Sequence, residues 1–205
     1  MDKIKLTKGE LKKQRDSLKQ YERYLPTLLL KKQQLQMELL HQYVLSEEKA
    51  QGLEKKKSAA FSWAGLLSES DKRFATWIKP KAVITAEKNV AGVDIPVFSG
   101  AEFPEAEYDL FLSPLWFDHA LEALKAMVVL QEELAIVDKG IEILKHELRI
   151  TTQRVNLFEK VKIPETKEAI RVIKIYIGDQ MANAVGRCKI AKNKIEKLML
   201  EEVAA

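Results

Sequence analysis

The chain has 205 residues, of which 31% are charged and 7% aromatic, with only 8 glycines and 6 prolines. That profile suits long exposed helices around a narrow apolar seam and argues against a thick globular core. A net charge of +4 is far from the strongly basic balance of a nucleic-acid binder. No run of about eighteen uncharged apolar residues is present to span a membrane. Met1-Asp2-Lys3-Ile4-Lys5 lacks the apolar centre of a signal peptide, and a single cysteine suits a reducing compartment. The expectation is a cytoplasmic protein without direct membrane insertion.

Thr7, with Glu10 three residues on, has the spacing of a helix N-cap and capping box. From there Leu11, Leu18 and Leu25 recur at seven-residue intervals and Leu39 follows two intervals on, with Tyr21, Leu28 and Leu35 in the second seam position. A heptad stripe of this length predicts a coiled-coil seam, because a left-handed supercoil keeps such a stripe facing its partner. Pro26 would normally kink the helix, and Gly52 and Gly65 weaken it locally. Trp63, Leu66, Leu67, Phe74, Trp77 and Ile78 keep helical spacing, so the first helix is predicted to reach Lys79-Pro80, about 100 Å at 1.5 Å per residue.

From Lys81 the period changes to two. Val83 and Thr85, then Val93, Ile95 and Val97, alternate around Lys88-Asn89-Val90-Ala91-Gly92, which predicts a β-hairpin with Pro96 confined to an edge. Residues 98–118 read as irregular and acidic. Helix resumes near Leu115, with Leu134, Val137, Ile141, Leu144, Leu148, Val155 and Phe158 on its stripe. Pro164 is expected to kink the helix or to occupy a local break. Beyond it the stripe resumes as Ile170, Ile177, Met181, Ala184, Cys188, Ala191, Ile195 and Leu198, so Cys188 is expected to fill the seam.

The predicted fold is all-α: a long antiparallel two-helix left-handed coiled coil with a short β-hairpin insert in the middle. Its parts are an N-terminal long helix (1–80), a β-hairpin and irregular insert (81–118) and a C-terminal long helix (119–205). Doubling back brings the first and last residues to one end. That tip is predicted to be basic, through Lys3, Lys8, Lys12 and Lys13 with Arg187, Lys189 and Lys192, and the insert end acidic.

Motifs that carry chemistry are missing. No GxxxxGK[ST] loop cradles a phosphate, no GxSxG elbow is present, and His41, His119 and His146 lack metal-ligand spacing. No catalytic residue, cofactor or metal is predicted. Lys55-Lys56-Lys57 reads as a solvated face. Gln14, Lys32 and Gln42 interrupt the seam, where polar residues set register or leave a side open to another protein. Trp63, Trp77, Phe111, Trp116 and Phe117 exceed what a thin rod buries, which suggests either a docking surface or a small local core.

Two segments carry a family resemblance. Asn89-Val90-Ala91-Gly92-Val93-Asp94-Ile95-Pro96-Val97-Phe98 resembles the NVAGVxxPVF segment of the D subunits of V-type and archaeal-type ATPases. Residues 150–159 (Ile-Thr-Thr-Gln-Arg-Val-Asn-Leu-Phe-Glu), followed by Val161-Lys162-Ile163-Pro164, resemble that family's T-x-R-R-V-N-x-x-E-x-x-x-I-P signature. Leu28-Leu29-Leu30-Lys31-Lys32 is similar to its LLKxK segment. Gln153 stands where the family usually has a first Arg, and residues 178–183 lack the acidic and arginine-rich character common there. These departures, with an end soon after the second helix, point to a short bacterial or archaeal-type member.

The resemblance implies a central-stalk rotor shaft that transmits torque between a membrane ion-translocating rotor ring and a catalytic A/B hexamer, without catalysis of its own. It implies that the basic tip enters the ring of A and B subunits, that a socket subunit of the membrane rotor meets the insert end, and that the small F subunit binds alongside. Lys3, Lys8, Lys12, Lys13, Arg187, Lys189 and Lys192 are the expected bearing contacts in the catalytic ring. Arg154 and Asn156 match the motif and are expected at a rotor interface. Trp63, Trp77, Phe111, Trp116 and Phe117 are assigned to the side of the socket or of the F subunit. The rival readings are a free-standing coiled-coil adaptor or export-apparatus stalk protein, a nucleic-acid-binding rod and, last, an enzyme.

Overall fold

The computed structural model describes residues 5–69, 74–109 and 113–204. Helix α1 runs Lys8–Phe61, a 3₁₀ turn Ala64–Glu69, α2 Phe74–Ile78, β1 Ala82–Val90 and β2 Val93–Glu102. After an irregular stretch, α3 spans Phe117–Leu157 and α4 spans Ile163–Ala204, joined by a π turn at Phe158–Lys162. The protein is mostly helical with a single two-stranded antiparallel sheet among the described residues. These residues fall into two compact units. One comprises those of Met1–Leu29 and Gln153–Ala205, the other those of Leu30–Thr152.

Thr7 caps α1 as its sequence suggests: the Glu10 amide donates to Thr7 Oγ1 at 3.2 Å. The Glu10 carboxylate, however, accepts from Gln14 Nε2 at 2.8 Å, inside the helix. Gln42 repeats the arrangement, donating to Glu38 Oε1 at 3.0 Å from four residues along. These seam amides are thereby satisfied by carboxylates of their own helix. Pro26 lies inside α1 without ending it.

In the second unit α1 and α3 meet in antiparallel order. The Lys145 ammonium lies 5.2 Å from the Tyr43 ring centroid, Ser46 Oγ donates to Asp138 at 3.1 Å, and Lys49 pairs with Glu133 at 2.9 Å. Leu35 and Leu144 are both fully buried, and Val93 and Ile95 of β2 complete their cluster. Each such side chain contributes about 1.5–3 kcal/mol by leaving water.

The hairpin turns on two residues, Ala91 and Gly92, with φ of 51° and 75°. Both are positive, as the tight turn matching strand twist requires. Asn89 Oδ1 accepts the Gly92 amide at 3.1 Å, while Asn89 Nδ2 donates to Asp94 at 2.6 Å. An alanine at positive φ is strained; here its methyl packs with Leu39, Val90 and Leu148 against the Leu35–Leu144 cluster. A bulge at Ile84/Thr85 shifts the register, and Pro96 stands opposite Glu87. Gly140 of α3 lets β2 approach: a Cβ there would sit 3.9 Å from the Pro96 carbonyl oxygen.

Two sequence expectations are corrected. First, α1 stops at Phe61, not near Pro80. The Ser62 hydroxyl caps back onto the Ala59 carbonyl at 2.7 Å, and the chain tightens into a 3₁₀ turn. The helical spacing from Trp63 to Ile78 reflects packing around Phe117, not more seam. Second, Cys188 is exposed; the stripe that should bury it is uncovered from residue 178 to residue 197. The expectation that the first and last residues share one end falls on residues 1–4 and 205, outside the described residues; on α4, burial ends at the half-buried Ile177, and Lys192 lies about 22 Å further along at 1.5 Å per residue.

The α3–α4 stripe also contains a step its spacing explains. Inward positions run Ile141, Leu144, Leu148, Thr151, Val155, Phe158, then Ile163, Thr166, Ile170, Ile173, Ile177. The 3-4 alternation is broken by one step of five, and the π turn absorbs it. The Ile163 amide reaches back to the Phe158 carbonyl, five residues rather than four.

Candidate interaction surfaces

The exposed part of α4 is the most distinctive surface. Thr166, Ala169, Ile170 and Ile173 are buried, yet every residue from 178 to 197 is exposed. Met181, Val185 (68%), Ile195 and Met199 (61%) continue an apolar stripe into solvent. Arg187, Lys189 and Lys192 lie on the same length of helix, all exposed, and Lys192 pairs with Glu196 of the next turn, at 3.7 Å. Lys8, Lys12 and Lys13 are exposed on the first turns of α1, and Lys3 lies outside the described residues.

Arg154 and Asn156 flank buried Val155 and point outward from the last turn of α3. The periodicity explains them: with Thr151 and Val155 on the inner face, positions 154 and 156 fall outside it. Arg171 of α4 holds Glu168 at 2.7 Å on one helix surface. The hydrogen bond from Arg171 lowers the Glu168 pKa.

The aromatic residues assemble mainly into a local core. Phe117 is buried and meets Phe74 edge-on at 4.9 Å and Tyr108 at 4.8 Å. Trp63, Trp77 and Trp116 pack around this pair, half-buried; Phe111 lies outside the described residues. The Tyr108 hydroxyl hydrogen-bonds Asp118 in the first turn of α3, which pushes the Tyr108 pKa up. Bordering this core in sequence, Phe61 is 76% and Leu115 98% exposed. Of the two alternatives for the aromatics, local packing accounts for Phe117 and most of the tryptophan surface.

A further surface was not anticipated. Leu30, Met37, Leu40 and Val44 are all more than half exposed on α1. At 3.6 residues per turn they share one side, opposite Leu35 and Gln42. Their spacing of seven, three and four was available in the sequence, masked by the stronger seam stripe interleaved with it.

Glu38 joins the hairpin to α1. Burial raises its pKa, but hydrogen bonds from Gln42 and Lys88 and the Lys88 charge outweigh this, leaving the carboxyl below its ordinary value. Lys88 Nζ lies 3.0 Å from it. At the hairpin base an open cleft is lined by Lys81, Glu102, Phe103, Pro104, Glu105 and Glu107. Among the described residues no three His, Cys, Asp or Glu side chains converge as metal ligands, and no helix is long and apolar enough to cross a membrane.

Each unit thus leaves apolar helix surface uncovered, α4 in one and the outer side of α1 in the other, as a mostly helical protein with little core of its own does. The family model for the D subunit of ATP synthase matches residues 10–193. A V-type ATP synthase D subunit from Borreliella burgdorferi is 48% identical over 199 residues, covering 96% of this chain and 97% of the relative. Proteins of the same description from Chlamydia caviae and Chlamydia abortus are 32% and 33% identical over 204 residues, 98% of each chain. The chain belongs to the family of V-type ATP synthase D subunits, and is thus a component of a multi-subunit ATP synthesis and ion-transport complex.

Proposed function

We propose that this chain is the central rotor shaft of its complex, passing torque between a membrane ion-translocating ring and a catalytic A/B hexamer, and performing no catalysis itself. In this reading α1 pairs with α3 and α4 as an antiparallel left-handed coiled coil working at the cytoplasmic face of the membrane. The observation that carries it is the abrupt change on α4 at Ile177. A stripe covered up to that point continues bare over residues 178–197, about 30 Å of helix at 1.5 Å per residue. Such a surface suits insertion into a sleeve of other subunits, with Arg187, Lys189 and Lys192, and Lys3, Lys8, Lys12 and Lys13, as bearing contacts.

The outer α1 stripe, Leu30 to Val44, suits the small F subunit, with Arg154 and Asn156 at a second rotor contact. Phe61 and Leu115, beside the aromatic core of Trp63, Trp77, Trp116 and Phe117, suit the socket subunit. The test is reconstitution with the A, B and F subunits. Reversing Arg187, Lys189 and Lys192 to Glu is expected to abolish assembly with the A/B ring or uncouple ATP hydrolysis from rotation, with the fold intact by circular dichroism. Copurification with none of these subunits would favour a free-standing coiled-coil adaptor or export-apparatus stalk instead.

A further inference from the structure

Both helices of the first unit carry a backbone defect, and the defects face one another. In α1, Pro26 has no N–H, so the Glu22 carbonyl loses its helical donor. In the opposing helix the π turn Phe158–Lys162 replaces the α pattern, and Pro164 follows it without a donor. Side chains at the α1 defect touch the other directly. Tyr21 meets the Phe158 ring at 5.4 Å, and Glu22 pairs with Lys167 at 3.5 Å. Thr166 Oγ1 donates to the Lys162 carbonyl at 2.6 Å, and Thr27 Oγ1 to the Tyr24 carbonyl at 2.8 Å, so side chains supplement the backbone on both sides.

Helix stiffness comes from the unbroken ladder of backbone hydrogen bonds, and kinks concentrate where that ladder is interrupted. One interrupted helix beside an intact one is splinted by it. Two interrupted at the same level are not. We propose that the Glu22–Pro26 turn and the Phe158–Pro164 segment form a single compliant joint, at which the helix pair bends and twists more readily than on either side. The joint itself depends only on this geometry. Its use, storing twist while a catalytic step is awaited, rests on the shaft reading proposed above.

Hydrogen exchange on the full chain tests the joint without any other protein, so its outcome is separable from that of the shaft. Amides of Thr27–Leu29 and Glu159–Ile163 are expected to exchange at least about tenfold faster than those of Ala169–Ile173, as locally opening segments do. Equal protection would overturn the proposal. Pro164→Ala restores a donor and is expected to slow exchange severalfold in its own helix and also at Thr27–Leu29 opposite. Slowing confined to its own helix would mean two independent defects and no joint. Pro26→Ala provides the reciprocal measurement, should the first variant fold poorly.

Discussion

The two parts of α4 carry the same kind of stripe and have opposite fates. Ile170, Ile173 and Ile177 are covered to different degrees, whereas Met181, Val185 and Ile195 stand in water. Periodicity records which face of a helix is apolar; it is silent on whether the chain itself supplies the cover. In an assembly component that silence matters, because the uncovered portion of a seam is where another chain is expected.

The sharpest way to break this contrast is a pair of truncations. Ile173→Ala removes a fully buried side chain and is expected to cost about 2–5 kcal/mol in urea unfolding of the isolated chain. Ile195→Ala, on the same helix, is expected to change stability by less than about 0.5 kcal/mol. Comparable losses would show that the exposed portion is covered in solution. The hairpin offers a second contrast. Ala91→Val places a β-branched residue at positive φ and is expected to lower stability by more than about 1 kcal/mol. Thermal melts should show no such loss for Gly140→Ala. Its new methyl meets the Pro96 carbonyl at ordinary contact distance, and alanine favours helix by up to about 1 kcal/mol over glycine.

The smallest effect concerns two carboxylates. Glu38 has a lowered pKa in the folded chain. Its contribution is therefore fully present above the unfolded value near 4.5 and is lost as pH falls through the lower folded value. A pH titration of stability below about pH 5 should show this slope, of at most about 1 kcal/mol for a partly exposed pair, and Lys88→Met should flatten it. Glu168 is lowered too, but it and Arg171 stand exposed on one helix surface where solvent screens them, so Arg171→Met should change the slope less than Lys88→Met does.

Much of this was legible from residues alone. The hairpin and its turn follow from two-residue alternation around Asn89–Gly92, and the α1 cap from Thr7 and Glu10. The π turn was present as well, since Val155 to Ile163 is a step of eight where the heptad wants seven. The end of α1 was not legible, because Trp63 to Ile78 keeps a spacing that a local core and a longer helix would share. The exposure of Cys188 was hidden for a different reason. Its cover depends on how far α1 reaches along α4, and no local pattern states that. The motif suggests a rotor interface for Arg154 and Asn156, with packing as the alternative; both side chains are exposed, and what they touch is not written in this chain alone.

Leu35, Leu144, Val93 and Ile95 come from three different segments yet bury one another. None can be bared without disturbing the rest. Where the strand lies against Gly140, lifting the hairpin away and parting the two helices therefore become one melting event. The small sheet serves as a latch for that cross-section.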